Sequence, residues 1–243
     1  MMKNTIKHMI VLSLGLGLIS SLTKAEETKS STNDKNIYVF ASYGLASLDT
    51  SINSTASSGA LTLTTTLDDE GAVTTFGVGW EQSKNLSFEV YAGIADGFSA
   101  TTTLTATNAV IDGVTYNGSL SAREELSGTL LGANAVFNNR ARFDSGDALT
   151  FSGKIGLAQH RVEDELSVSG SGTVNGVTYS AASPVLATIK ETGTSLTLGA
   201  GVNYVTSDNL ELSFGVNHIP GIGGGALVEA DLTFYNIGIA VRF

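Results

Sequence analysis

From Asn36 to the last residue the chain is a succession of segments in which apolar side chains alternate with small or polar ones. A period of two is the signature of a strand whose two faces meet different surroundings. Eight such segments can be read. The first sets Ile37, Val39, Ala41, Tyr43 and Leu45 against Tyr38, Phe40, Ser42, Gly44 and Ala46, with apolar residues on both faces. The second sets Phe76, Val78 and Trp80 against Gly77, Gly79 and Glu81, and the third sets Leu86, Phe88, Val90, Ala92 and Ile94 against Ser87, Glu89, Tyr91 and Gly93. In the fourth, Leu131, Ala133, Ala135 and Phe137 oppose Gly132, Asn134 and Val136; in the fifth, Leu149, Phe151, Ile155 and Leu157 oppose Thr150, Ser152, Lys154 and Gly156. Leu196 to Tyr204 and Leu210 to Val216 follow the same rule, and the eighth sets Tyr235, Ile237, Ile239, Val241 and Phe243 against Phe234, Asn236, Gly238, Ala240 and Arg242.

The connections alternate in length. Ser83-Lys84-Asn85, the polar stretch Asn138 to Asp147, and Ser207-Asp208-Asn209 are short or moderate, whereas residues 48–72, 96–126, 160–193 and 219–229 read as long polar loops. Transmembrane barrels show this contrast, with short periplasmic turns and longer extracellular loops. Two of the long segments contain Ile111-Asp112-Gly113-Val114-Thr115-Tyr116 and Val174-Asn175-Gly176-Val177-Thr178-Tyr179. Asp-Gly and Asn-Gly favour tight type I′ turns, so the hairpins are expected to continue outward there as β-ribbons.

Residues 1–25 change the compartment. Lys3 and Lys7 precede the apolar run Met9 to Ile19, and Thr23-Lys24-Ala25 ends it. That is the form of a secretory signal peptide, too short to span a bilayer, which takes about 20 apolar residues. Residues 26–35, without apolar periodicity, read as a flexible periplasmic leader, and 36–243 as one barrel domain. No later apolar run reaches the length of a membrane helix, so a membrane location demands a closed barrel.

Three of the 13 Lys and Arg precede Glu26 and all 23 Asp and Glu follow Ala25, leaving 10 basic against 23 acidic side chains, a charge of −13. Nucleic acid is excluded as a partner on that balance. Cysteine is absent, which removes disulfides and thiolate metal sites; 28 Gly, two Pro and abundant Thr and Ser favour strands and turns.

Alternation alone does not distinguish a membrane barrel from a soluble one. The polar face does: it is mostly Gly, Ser, Thr, Asn and Ala, which suits a cramped lumen rather than bulk water. Its few charges, Glu81, Glu89, Lys154, Glu211 and Arg242, would need mutual pairing inside a narrow barrel, so the acids are expected around Lys154 and Arg242 as a structural network. Trp80, Phe88, Phe137, Phe151 and Tyr204 lie near short turns in the apolar phase, and read as a periplasmic aromatic girdle. The fold class is therefore all-β, a transmembrane antiparallel up-and-down β-barrel of about eight strands with long extracellular loops.

Gly77-Val78-Gly79-Trp80-Glu81-Gln82 leading to Asn85-Leu86-Ser87-Phe88-Glu89, then Ser152-Gly153-Lys154-Ile155-Gly156, and a final strand ending in Phe243 resemble the small outer-membrane barrels that include the opacity proteins, OmpX and the membrane domain of OmpA. The resemblance covers residues 36–243. It implies an integral protein of a Gram-negative outer membrane, in contact with lipid and lipopolysaccharide. It also implies that Tyr235, Ile237, Ile239, Val241 and Phe243 form the C-terminal signal read by the barrel-assembly machinery. The chain departs from minimal members in its long Ser/Thr-rich loops.

No catalytic, cofactor or metal site is read from the residues. His218, followed by Ile219-Pro220 and later Glu229, loosely resembles the His-x-Ser and downstream Glu of lipid A deacylases, but Pro220 stands where a nucleophilic Ser belongs. His160, with Gln159, Arg161 and Glu163, reads as interfacial. The clusters Asp68-Asp69-Glu70 and Glu163-Asp164-Glu165 lack calcium-loop spacing. The leading expectation is a noncatalytic surface protein whose barrel anchors loops for adhesion, surface interaction and membrane integrity, with an extracellular ligand as partner. A narrow porin-like transport barrel and a lipid A-modifying enzyme are the alternatives.

Overall fold

The computed structural model describes residues 37–49, 54–206, 209–223 and 229–243. Residues 1–36, on which the expected signal peptide and periplasmic leader fall, and the Ser207-Asp208 part of the last short turn lie outside the described residues. Ten strands follow in order: β1 (Ile37–Asp49), β2 (Ser54–Ser58), β3 (Leu61–Asp68), β4 (Glu70–Ser83), β5 (Leu86–Ile111), β6 (Val114–Arg142), β7 (Ala148–Val174), β8 (Val177–Val205), β9 (Leu210–Ile222) and β10 (Ala230–Arg242). No helix among the described residues is long and apolar enough to cross a membrane.

Eight strands close into a ring. β1 pairs antiparallel with β4, β4 with β5, and so on in chain order to β10, which returns to β1 from Tyr38↔Arg242 to Asp49↔Asp231. Phe243 N–H donates to the Ile37 carbonyl at 2.9 Å, so both ends of the ring meet at the seam. The short connections Ser83–Leu86, Arg142–Ala148 and Val205–Leu210 share the end that holds Ile37 and Phe243.

Within the ring the side chains sort by phase. Leu157 is 57% exposed and its neighbour Ala158 is 0% exposed. Val78, Val90, Leu131, Phe137, Phe151, Ile155, Leu198, Phe214, Ile237 and Ile239 are likewise exposed on the outer surface. So many outward apolar side chains form a belt that water would not stabilise and acyl chains would. Closure satisfies the backbone of every strand that crosses it.

The segments 96–126 and 160–193 are not loops. They are strand over most of their length, because alternation there runs through Thr, Ser and Gly, which a search for strongly apolar faces passes over. Residues 48–72 also contain the hairpin of β2 and β3, and β3 joins β5 from Leu61↔Ala106 to Asp68↔Ser99. Past the belt, β2, β3, β5, β6, β7 and β8 thus form one open sheet rising from part of the rim. Its two tips are Asp112-Gly113 (φ 50° and 76°) and Asn175-Gly176 (φ 49° and 80°), the left-handed pairs of type I′ turns. Asn175 N–H donates to the Thr115 carbonyl at 3.0 Å, tying one tip to the other.

The hydrophobic phase of the sheet inverts at the rim. Below it on β7, Phe151, Ile155 and Leu157 point out and Ser152, Lys154 and Gly156 point in; above it, Gln159, Arg161, Glu163 and Glu165 point out and Val162, Leu166 and Val168 point in. On β6 the outward Leu131 gives way to Thr129, Ser127, Glu125 and Arg123, while Leu130, Leu126 and Leu120 continue the inner face. Cross-strand pairs Leu63↔Leu104, Leu104↔Leu120 and Leu120↔Gly170 extend that inner apolar row across the sheet. On β5 the register shifts between Ala95 and Phe98, which brings Phe98 onto the buried side. The core cluster sits at this level, with Val73, Leu130, Ala158, Ile219 and Leu232 almost fully buried.

Lower in the lumen, large rings lie against the wall. A Cβ added at Gly79 would meet the Tyr38 ring at 2.1 Å, so only glycine leaves room for it. Gly79→Ala is therefore expected to lower the urea midpoint of the refolded barrel or stop refolding. Gly153→Ala, where nothing lies within 4 Å, should leave the midpoint unchanged.

Candidate functional site: the barrel interior and its rim

The lumen charges meet across the barrel. Lys154 Nζ lies 2.8 Å from Glu89 Oε2 and 3.1 Å from Oε1, and Tyr38 Oη donates to Glu89 Oε1 at 2.9 Å. Arg242 Nη2 reaches Glu211 Oε2 at 2.6 Å, and Arg242 Nη1 also bonds Glu81. Arg140 Nη2 completes the group on Glu81 Oε1 at 2.8 Å, with its Nε on Thr150 Oγ1 at 3.3 Å. Lys154 stands over the Phe40 ring at 5.9 Å and Arg242 over the Tyr38 ring at 5.1 Å. Glu81, Glu89 and Glu211 thus face Lys154, Arg242 and Arg140, a balanced set in a narrow lumen whose other lining is largely Ser, Thr and Asn.

The sequence reading names five of these charges and misses Arg140 and Tyr38. Arg140 lies in the stretch taken as a polar connection, but β6 runs on to Arg142 and keeps its parity, so Arg140 shares the inward phase of Asn134, Val136 and Asn138. Continuing the period of two by three residues would have found it. Tyr38 stood on a strand with two apolar faces, and its phase is set by the partners Arg242 and Gly79.

Trp80, Phe88, Phe137, Phe151 and Tyr204 lie on the outer surface of β4 to β8 near the short-turn end. Trp80 and Phe88 stack at 5.3 Å between centroids, and Tyr204 Oη donates to Asp147 Oδ2 at 2.8 Å. Around the remaining arc, Leu212, Ile239 and Ile37 face outward instead, so these five aromatics span part of the circumference. On β10, Tyr235, Ile237 and Ile239 point outward from the closing strand, and Val241 and Phe243 are half-buried at the seam.

His160 is not interfacial. It points inward, 2% exposed, with Nε2 3.1 Å from Ser195 Oγ, and Ser195 Oγ in turn donates to the Gly221 carbonyl at 3.1 Å. The acidic run Glu163-Asp164-Glu165 is divided by the same alternation: Glu163 points out to Lys190 at 2.9 Å, and Asp164 is buried inside. His218 faces outward. Its Nδ1 lies 3.0 Å from Thr233 Oγ1, the cross-strand neighbour that the ladder puts beside it, and its Nε2 is 3.9 Å from Asp231 Oδ2. Pro220 offers no hydroxyl, and the Glu229 carboxylate lies beside Gly221. Among the described residues no three His, Cys, Asp or Glu side chains are placed to hold a metal ion.

A closed eight-stranded ring with an apolar outer belt and an internally paired lumen defines a small transmembrane β-barrel protein. No family model and no curated protein matches the sequence. Among solved structures, the chain is similar to Neisserial surface protein A, with 16% identity and a TM-score of 0.44 over 85% of this chain and 97% of that one. It is similar to the outer membrane protein OprG from Pseudomonas aeruginosa, with 10% identity and a TM-score of 0.46 over 86% and 96%. It is also similar to Ail, the attachment invasion locus protein of Yersinia pestis, with 13% identity and a TM-score of 0.36 over 86% and 99%.

The ion network carries a direct test. Lys154→Met strands the Glu89 carboxylate in the lumen and should destabilise the barrel by about 3–5 kcal/mol in urea titrations. Adding Glu89→Gln to that variant should recover most of the loss, since it removes the unpaired charge.

Proposed function

We propose that the chain is a noncatalytic surface protein of a Gram-negative outer membrane, in which the barrel is an anchor and the sheet above its rim is the working part. In this reading the short-turn end faces the periplasm, the belt contacts lipid and lipopolysaccharide, and the outward row Tyr235, Ile237, Ile239, Val241 and Phe243 engages the assembly machinery during insertion. The single observation that carries the reading is the length of β5 to β8. On β7 about 15 residues beyond the belt remain paired strand, roughly 50 Å along the chain direction. A protein that needed only to cross the membrane would need strands of about 9–11 residues.

The projecting sheet has an edge that suits recognition. β8 pairs with β9 only from Leu198 to Val205, so residues 177–197 have β7 as their one strand neighbour among the described strands. An extended segment of a partner can add to such an edge through main-chain hydrogen bonds. Ion transport is disfavoured by the paired charges that cross the lumen and by the apolar cluster of Leu130, Ile219 and Leu232 above them.

The test keeps the ladder in register. Replacing residues 106–118 or 170–181 with Asn-Gly leaves Thr105↔Ser119 or Ser169↔Ala182 as the last rung. Cells displaying these variants should lose adhesion to other cells or host matrix while the barrel keeps its heat-modifiable gel mobility. Undiminished adhesion with both ribbons shortened would reject the proposed role.

A further inference from the structure

Above the rim the projecting sheet sorts its charges by face. On β6 to β8 the outer face carries Arg123, Glu125, Arg161, Glu163, Glu165 and Lys190, three of each sign, with Arg123 3.3 Å from Glu125 and Lys190 2.9 Å from Glu163. The inner face carries Glu124, Asp164 and Glu191, and no base stands on it among the described residues. The ladder puts these three carboxylates on adjacent strands, each within two rungs of the next: Glu124 pairs with Leu166, Asp164 with Leu126, and Glu191 with Val162. Burial and the nearby Glu124 raise the pKa of the Asp164 carboxyl to about 6, with no cation beside it among the described residues to lower it.

Glu191 stands on the open edge of this sheet, where β8 has β7 as its one strand neighbour among the described strands. A bulge divides the edge. Leu166 and Val168 are two apart on β7, and their partners Ala187 and Ser183 are four apart on β8, so residues 184–186 are set out of the ladder. Val185 and Leu186 are exposed there. Below the bulge, residues 187–193 pair regularly with β7 from Ala187↔Leu166 to Gly193↔His160, and Ala187, Thr188, Ile189 and Lys190 are exposed. That stretch is about 23 Å long, room for one ordinary strand of about 5–6 residues.

Edge and charge together specify an occupant. The main chain of an open edge takes an extended backbone. On a strand added there, the side chain turned inward opposite Glu191 would lie about 5 Å from it, with the charges of Asp164 and Glu124 behind. A basic side chain is attracted at that position and an acidic one is repelled. A sulfated or phosphorylated chain would meet carboxylates, and a second copy of this chain would bring the same carboxylates to the edge. From the open edge of β8 and the carboxylates along its inner side, we infer that residues 187–193 receive a cationic, extended polypeptide segment as an added strand, with Lys or Arg side chains turned to the inner face beside Glu191. The inference rests on the proposed role of this edge in recognition and names the chemistry of the partner.

The test uses the whole barrel in phosphatidylcholine nanodiscs at low salt, with four short synthetic peptides. In three of them Thr alternates with Lys, Gln or Glu; in the fourth Pro alternates with Lys, which keeps the charge and removes the ladder donors. The Thr-Lys peptide should bind saturably and slow hydrogen exchange at the edge amides within residues 187–193. The Thr-Gln peptide should bind about tenfold more weakly, and the Thr-Glu and Pro-Lys peptides should leave those amides unprotected. Glu191→Gln combined with Glu124→Gln should weaken the Thr-Lys peptide about fivefold and leave the Thr-Gln peptide unchanged, while Glu165→Gln on the outer face should alter neither. If the double variant does not fold, the peptide series on the unaltered chain decides alone. Equal binding of the Thr-Lys and Thr-Gln peptides would overturn the cationic partner and leave the edge as a binding surface. No edge protection by any peptide, or Pro-Lys binding as tightly as Thr-Lys, would overturn the added strand. The anchoring role is decided separately, by adhesion of the cells with shortened ribbons.

Discussion

Lipid offers a peptide group nothing to bond to, and this one constraint orders the molecule. A sheet can enter a bilayer only if its last strand returns to its first, as β10 does to β1. With eight strands the ring is narrow, so its interior must be filled by side chains rather than by a channel. Tyr38 and Phe40 fill it where glycines stand opposite, and charges enter only as a mutually bonded set. Desolvation makes the whole group more informative than any one pair: each acid in it touches a base.

Above the rim the same ladder continues in a different solvent. Outside, acyl chains are replaced by water, and the outward residues change from Phe151, Ile155 and Leu157 to Arg161, Glu163 and Glu165 without a break in β7. Inside, apolar side chains then become the ones in need of cover, and Val162, Leu130, Phe98 and Leu232 cluster at the mouth. The strand period is unbroken and only the chemistry of its phases exchanges. That exchange locates the edge of the membrane more sharply than strand length does, because β7 runs for 27 residues through both regimes.

Most of the ring was legible because two solvents impose a period of two, and residues such as Leu131, Ile155 and Ile237 report it directly. The inward phase of Glu89, Lys154, Glu211 and Arg242 followed from the same rule. What escaped did so for physical reasons. Segments such as Thr101 to Thr105 form strand by β-branching without a strongly apolar face, and so read as loop. Arg140 was hidden by a strand end that runs further than its apolar residues. His160 was read as interfacial because its neighbours Gln159 and Arg161 are polar, but those neighbours hold the outward phase, which faces water above the rim, while His160 keeps the inward one. Alternation shows that two faces differ; which solvent each face meets must be judged anew on the far side of the membrane.

The chain lacks cysteine, so any single cysteine introduced on the outward face of β7 reports one depth. A fluorophore placed in turn at Ile155, Leu157, Arg161, Glu165 and Ser169 in liposomes carrying an acyl-chain quencher tests the central claim most directly. Strong quenching at Ile155 and Leu157, falling away by Arg161 and absent at Glu165 and Ser169, is the predicted profile. Uniform quenching along the strand, or none at Ile155 and Leu157, would contradict a belt that ends where the phases exchange.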